Sequence, residues 1–227
     1  MNQKIYFIIG PTAIGKSSLA IRLAKKINGV IINADSMQVY SNLEIITARP
    51  SKMDHQKIKH ELYGFIDGSE RYNVAKWCKD ISKVLHENKK KKIPSIIVGG
   101  TGMYIYTLIN GIIDLPNIPE NFKKESGELL NNIGLENFIK IIKVFDAEAL
   151  IDISKKDTTR LRRIWEVYKS TGFTFSDYNK KQNKKFIANG NYHMYFFTPP
   201  RELIYQNVNS RFIKMIKIGA IDEVKEL

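Results

Sequence analysis

The sequence predicts an α/β fold: a parallel sheet flanked by helices, with a mostly helical insertion. Three observations predict it. Short apolar runs rich in β-branched residues recur at 4–9, 30–32 and 95–98, which is how the buried strands of a parallel sheet read. Segments with helical spacing of apolar residues lie between them, and this alternation implies helices on both faces of such a sheet. Between 114 and 190 the strand signal vanishes and the sequence becomes polar, Lys-rich and helical.

The first run, KIYFII at 4–9, ends in a Gly10-Pro11 turn. Residues 16–27 then place Leu19, Leu23 and Ile27 on one helical face, and Asn28-Gly29 ends that helix. Residues 30–32 form a second strand closing at Asn33-Ala34-Asp35. A long amphipathic helix over 73–92 carries Val74, Trp77, Ile81, Val84 and Leu85 on its apolar face. The four lysines at 89–92 suit the negative end of its dipole, and Pro94 stops it. The third strand, 95–98, ends in Gly99-Gly100, and Thr101 begins another helix. Residues 114–121 hold two prolines and little periodicity. Asp157 caps a helix expected to run to about Ser170 and to stop at Thr171-Gly172. Residues 192–198 return to strand character, Pro199-Pro200 breaks it, and 201–227 reads as a single last helix. The expected organisation is a sheet core from 1–113 and 191–227 and a helical insertion at 114–190.

A length of 227 residues allows one large domain or a domain with an inserted lobe. The apolar fraction of 43% and charged fraction of 26% are ordinary for a chain that buries a real core. No apolar run approaches the ~18 residues of a membrane-spanning helix. The opening MNQKIYFIIGPT turns into Gly-Pro too soon for a signal peptide. Cys78 is the single cysteine, so no internal disulfide or Cys/His metal cluster is expected. It reads as a small apolar residue inside a helix, and its solitude suggests a reducing compartment.

The net charge of +13, from 36 Lys+Arg against 23 Asp+Glu, points to an anionic partner such as nucleic acid or a membrane surface. Only eight of the 36 are Arg, and Ile and Asn are abundant, a compositional bias that raises the pI without any function. Distribution therefore matters more than the total. Residues 155–185 hold ten Lys/Arg against three Asp/Glu, and nucleic-acid contact is expected there.

Gly10, Pro11, Thr12, Ala13, Ile14, Gly15, Lys16 and Ser17 match G-x-x-x-x-G-K-[ST], with a strand before and a helix after. The glycines let backbone N–H groups approach a phosphate, and the helix beginning near Lys16 adds its positive end. Lys16 supplies a mobile cation for the outer oxygens, and the Ser17 hydroxyl can ligate Mg²⁺. This is a P-loop NTPase-like core. Such a loop identifies a bound di- or triphosphate and not a reaction. Kinases and NTPases usually end an apolar strand in Asp, whereas Val98 is followed by Gly99-Gly100-Thr101, and Asp35 is the acid nearest a strand end.

Four segments together resemble the tRNA dimethylallyltransferase family: GPTAIGKS at 10–17, NADSMQVY at 33–40, TARP at 47–50 and VGGTGMYI at 98–105. Residues 198–227 are similar to that family as well. The resemblance implies a P-loop α/β core with a helical insertion, and transfer of dimethylallyl from dimethylallyl diphosphate to N6 of the adenosine 3′ to the anticodon. The loop then holds the isoprenoid's diphosphate, with Mg²⁺ as cofactor. It implies Asp35 as general base, and Lys16 and Ser17 as catalytic partners of the diphosphate, with Thr12 contacting the isoprenoid substrate. Asp35, Ser36, Met37, Gln38 and Thr101 fall where the family contacts tRNA. So do Thr159, Arg160, Leu161, Arg162 and Arg163 inside the basic stretch, and Lys123. On residue type alone, Asp35 also reads as a helix N-cap before 36–40 and Thr101 as an N-cap after the glycines. Arg160 and Arg163 share a helix face, which fits phosphate contact, a solvated basic face or a kinase lid.

Family members continue past the segment matching 220–227 with a Gly-Tyr-Arg-type motif and further basic helices, so the resemblance implies a core incomplete at that end. They often have two histidines where this chain has His60-Glu61. A small-molecule or nucleotide kinase, an enzyme prenylating free adenine nucleotides, and a catalytically impaired tRNA-binding remnant stay open on the residues alone. The family implies a monomer in the cytoplasm, with no membrane partner.

Overall fold

The computed structural model describes residues 4–113, 115–180, 185–187 and 192–227. Asp114, Lys181, Lys184 and the expected 190/191 boundary lie outside them. The described chain forms two compact units, one from 1–110 and 185–227, the other from 111–184.

In the first unit β1 (Ile5–Ile9) leads through the loop into α1 (Lys16–Ile27), which ends with Asn28 in a left-handed conformation. β2 (Val30–Asn33) follows, then a short helix α2 (Lys52–Lys57) and a two-residue strand β3 (His60–Glu61). Neither of the last two is expected from periodicity, because both are too short to show one. The capping box at Ser51, whose hydroxyl accepts from the Asp54 amide, is what makes α2 form. Asn73 caps α3 (Val74–Lys90), and β4 (Ser95–Gly99) leads into α4 (Gly102–Asn110). Among the described residues the strand order is β3-β2-β4-β1-β5, all parallel, with β5 (Tyr192–Phe196) beside β1.

Alternation along the strands builds two cores. Ile5, Phe7, Ile9, Ile32 and Ile97 face α3 and α4 through Trp77, Ile81, Tyr104 and Leu108. Ile8, Ile31, Ile96 and Val98 face α1 through Ala20 and Ala24. Cys78 is fully buried in the first core, and that burial pushes its thiol up to about 11.

The second unit packs α5 (Glu120–Phe145), which kinks at Gly134, against α6 (Thr158–Thr171), with α7 (Phe175–Lys180) beyond. Its core is Phe138 and Ile142 from α5 against Leu161, Ile164 and Trp165 from α6. Asp157 caps α6 by accepting from the Arg160 amide, and Gly172 ends it.

The single last helix expected at 201–227 is two: α8 (Arg201–Lys217) and α9 (Ala220–Lys225). Gly219 breaks the run, with φ of 106°, a left-handed conformation that glycine adopts without steric cost.

Candidate active site

The loop between β1 and α1 sits at the carboxyl edge of the sheet, where open α/β sheets bind ligands. Gly15 occupies the N-cap of α1 with φ of 85°, and no side chain caps the helix. Its first-turn amides are therefore free to meet an anion. The pocket over this loop is lined by Thr12, Gly15, Lys16 and Ser17, by Asp35 and Gln38 from the segment after β2, and by Arg211 from α8.

Lys16 donates a hydrogen bond to the Pro11 carbonyl. Burial pulls its ammonium below the ordinary lysine value and the Arg211 charge adds to this, while Asp35 opposes. Arg211 donates to the Thr12 hydroxyl. Sequence reasoning missed Arg211, which has no local signature; only the general likeness of 198–227 to the family pointed toward that helix.

Asp35 is fixed by its neighbours. Its amide donates to Asn33 Oδ1 at 2.8 Å, and its own carboxylate accepts from the Met37 amide at 2.9 Å. Asn33 is fully buried, donates to the carbonyls of Asp35 and Leu62, and offers its own carbonyl to Trp77 Nε1 at 2.9 Å. Residues 36–40 make a turn and not the helix that an N-cap reading of Asp35 requires. The bond to Met37 is an Asx turn.

Thr101 likewise does not cap α4 with its side chain. Its hydroxyl accepts from the Ser36 amide at 3.0 Å, tying the start of α4 to the turn after Asp35. Tyr63 also lines the pocket; burial, then the Asp35 charge, pushes its phenol up.

Gly99 explains why no acid follows Val98. A Cβ there would meet the Ala34 carbonyl oxygen at 2.1 Å, so the strand between the loop and Asp35 has no room for a side chain at its end. Among the described residues that line the pocket, Asp35 carries the only carboxylate.

In the helical unit the expected contact residues divide. Thr159 and Arg160 are exposed, and Arg160 pairs with Asp157 at 3.3 Å. Lys123 pairs with Glu120 at 2.7 Å. Arg162 is turned into its own unit, donating to Ser126 Oγ at 3.0 Å and to the Lys123 carbonyl at 2.6 Å. Arg163 reaches the Pro116 carbonyl at 3.4 Å. Leu161 is corrected: at 1% exposure it is core of this unit and offers no surface to an RNA. Leu161 lies 100° around the helix from exposed Arg160, on the face that packs against Phe138 and Ile142.

A phosphate loop with two cations and one fixed carboxylate beside it, on a parallel sheet flanked by helices, defines a P-loop NTPase-like α/β protein with a pocket suited to a phosphorylated ligand. A family model described as IPP transferase matches residues 38–227, and one described as isopentenyl transferase matches 3–67. The chain is 41% identical over 225 residues to the tRNA dimethylallyltransferase of Pelagibacter ubique, covering 99% of this chain and 71% of that protein. It is 41% identical over 229 residues to that of Wolbachia pipientis wMel, covering 100% and 75%. A eukaryotic dimethylallyltransferase solved acting on tRNA superposes with a TM-score of 0.85 at 28% identity, over 99% of this chain and 55% of that one. The full-length tRNA isopentenylpyrophosphate transferase of Bacillus halodurans gives 0.65 at 28% identity, over 100% and 70%. The chain thus spans little more than half of the eukaryotic enzyme and about seven-tenths of its bacterial relatives. It belongs to the tRNA dimethylallyltransferase family, enzymes that transfer a dimethylallyl group to adenosine in tRNA.

Proposed function

We propose that this chain transfers dimethylallyl from dimethylallyl diphosphate to N6 of the adenosine 3′ to the anticodon, giving N6-isopentenyladenosine and diphosphate. The observation that carries this reading is the gathering of Lys16, Arg211 and the uncapped start of α1 in one pocket with Asp35.

The cations and amides hold the diphosphate. N6 attacks C1 of the isoprenoid, the C1–O bond breaks, and its electron pair leaves on the diphosphate oxygen. Lys16, Arg211 and the loop amides stabilise that developing charge, the kind of preorganised donor set whose single members are worth about 10²–10³ in rate. Thr12, held by Arg211, lies beside the isoprenoid end. As the N6–C1 bond forms, the amino group becomes acidic and Asp35 accepts its proton. The Asn33 and Met37 bonds keep the carboxylate in place for that step.

The Ser17 hydroxyl would hold a Mg²⁺, an ion that keeps much of its hydration and needs few protein oxygens. When bound, it would neutralise diphosphate charge.

Asp35, Ser36, Met37 and Gln38, with Thr101 bracing the turn, form the acceptor side. Exposed Thr159 and Arg160, with half-buried Lys123, are candidates for tRNA backbone contact in the helical unit. Arg162, bonded to Ser126 and the Lys123 carbonyl, also braces that unit, and part-exposed Arg163 stays a candidate beside them. The target base must leave its stack, at a cost of a few kcal/mol that is smaller in an unpaired loop. The family likeness supports a monomer and a tRNA substrate supports a place in the cytoplasm; among the described residues no helix is long and apolar enough to cross a membrane.

The test is a transfer assay with dimethylallyl diphosphate, Mg²⁺ and an unmodified tRNA bearing adenosines beside its anticodon, read by nucleoside mass spectrometry. Isopentenyladenosine that disappears with Asp35→Ala is expected. No product from the wild-type chain under any donor concentration overturns the reading.

A further inference from the structure

The mechanism leaves one strong polar contact unused. Glu223 on α9 accepts three successive backbone amides: those of Glu44 and Ile45 at 2.7 Å each on Oε1, and that of Ile46 at 2.9 Å on Oε2. Three amides converging on one carboxylate form a nest, and bonds to an ionised acceptor are roughly twice as strong as neutral ones. Gly219 makes the contact geometrically possible, because its left-handed turn redirects the chain from α8 into α9.

The clamped loop reaches the pocket in one further step. Gln38 Nε2 donates to the Thr47 carbonyl at 2.8 Å and the Ala48 carbonyl at 3.2 Å. Arg49 closes the same loop on the Tyr40 and Ser41 carbonyls, at 3.0 and 3.3 Å. Gln38 and Ala48 both line the pocket with Asp35. The diphosphate side is held by other means: the loop after β1, Lys16 and Arg211.

We infer that Glu223 is a positioning residue for the acceptor side of the pocket: its carboxylate fixes residues 44–49, and these fix Gln38 and Ala48 beside Asp35. The kinetic consequence rests on the prenyl-transfer reading; the clamp itself does not. Its removal loosens the side that receives the nucleobase and spares the side that holds diphosphate.

The test uses Glu223→Ala, Glu223→Gln and Glu223→Asp in the whole chain, with three readouts: amide hydrogen exchange over 44–49, calorimetric binding of inorganic diphosphate with Mg²⁺, and steady-state kinetics. In Glu223→Ala, exchange at 44–46 is expected to quicken about tenfold or more, and the KM for tRNA to rise by a similar factor. Diphosphate affinity and the KM for dimethylallyl diphosphate are expected to stay within about twofold. Glu223→Asp or Glu223→Gln should recover part of the loss.

Unchanged exchange overturns the clamp. A loss of diphosphate affinity equal to the loss for tRNA overturns the division of roles, since it reports a general loosening of α8 and α9. Normal tRNA kinetics with quickened exchange overturns the coupling to Gln38. If the wild-type chain transfers nothing, the functional reading fails separately. Affinity for an unmodified anticodon stem-loop then replaces KM, and an unchanged affinity in Glu223→Ala overturns the inference.

Discussion

Arg211 donates a hydrogen bond to the Thr12 hydroxyl, joining a C-terminal helix to the phosphate loop across 199 positions of sequence. The bond aims a permanent cation into the pocket already holding Lys16 and Asp35. Arginine stays charged even where burial lowers its value, as it does here.

Arg211→Ala is expected to lower kcat/KM for dimethylallyl diphosphate by about 10²–10³. Arg211→Lys should recover part of that, since it restores charge without the planar fork. Thr12→Val, which removes the acceptor and leaves the cation, is expected to cost less than about tenfold. Equal losses in Thr12→Val and Arg211→Ala would show that the arginine shapes the loop and does not serve the diphosphate.

Lys16 gives a pH dependence to ligand binding. Burial holds its ammonium below the ordinary lysine value in the free protein, and the Arg211 charge does the same. The folded state therefore binds fewer protons than the unfolded state between the depressed value and the ordinary one. In the free protein the destabilising contribution of Lys16 is full below that window and is relieved as pH rises through it. A bound diphosphate reverses the shift, because an opposite charge favours the ammonium. Diphosphate affinity is expected to fall as pH rises through the depressed value, with proton uptake on binding. Calorimetry in buffers of different ionisation enthalpy measures this, and Lys16→Met should remove the lysine's share of the proton uptake, leaving only that of the diphosphate itself.

Glu223 carries the same sign for stability as Lys16, in the acid range. Burial pushes its carboxyl up, but the Ile46, Ile45 and Glu44 amides and the Arg49 charge outweigh it, and the net displacement is downward. Glu44 shares Arg49 through an ion pair at 3.2 Å. The stability from this contact is present above the ordinary glutamate value and is lost as pH falls through the depressed folded one. Amide exchange at 44–46 should therefore quicken at acid pH in the wild-type chain. Glu223→Gln should make it insensitive to pH over that range, after correction for intrinsic exchange.

Arg160 and Leu161 are adjacent in sequence and opposite in expected effect. Arg160→Ala should weaken binding of an anticodon stem-loop and reduce the slope of log affinity against log salt by about one, with stability unchanged. Leu161→Ala removes a core side chain of the helical unit and should cost about 2–5 kcal/mol in chemical denaturation. A Leu161→Ala chain of normal stability would return that residue to the surface.

Much of the architecture is legible without coordinates because it is encoded locally. The strands around Phe7, Ile31 and Ile97 are short β-branched runs, and helix 16–27 shows its apolar stripe and ends at Asn28-Gly29. Asn73 and Asp157 announce helix starts through side chains that accept from amides three residues on. Gly219, which divides the last helix, was equally visible as a residue that ends helices. It is overridden in a reading of 201–227 because apolar residues continue on both sides of it.

The site is legible only in the parts that lie within one segment. The phosphate loop is contiguous, so its sequence determines its conformation and its chemistry, and Asp35 stands at a strand end that the sequence marks. Arg211 beside Thr12, Glu223 on the 44–46 amides, and the Thr101 hydroxyl on Ser36 are contacts between segments 65 to 199 residues apart. No period or cap signals such a contact, because it depends on strand order and on the angle at which helices return to the sheet edge. The burial of Leu161 and the inward turn of Arg162 follow from the same cause. A helix sequence tells which residues share a face, but only the packing of its neighbour decides which face meets water.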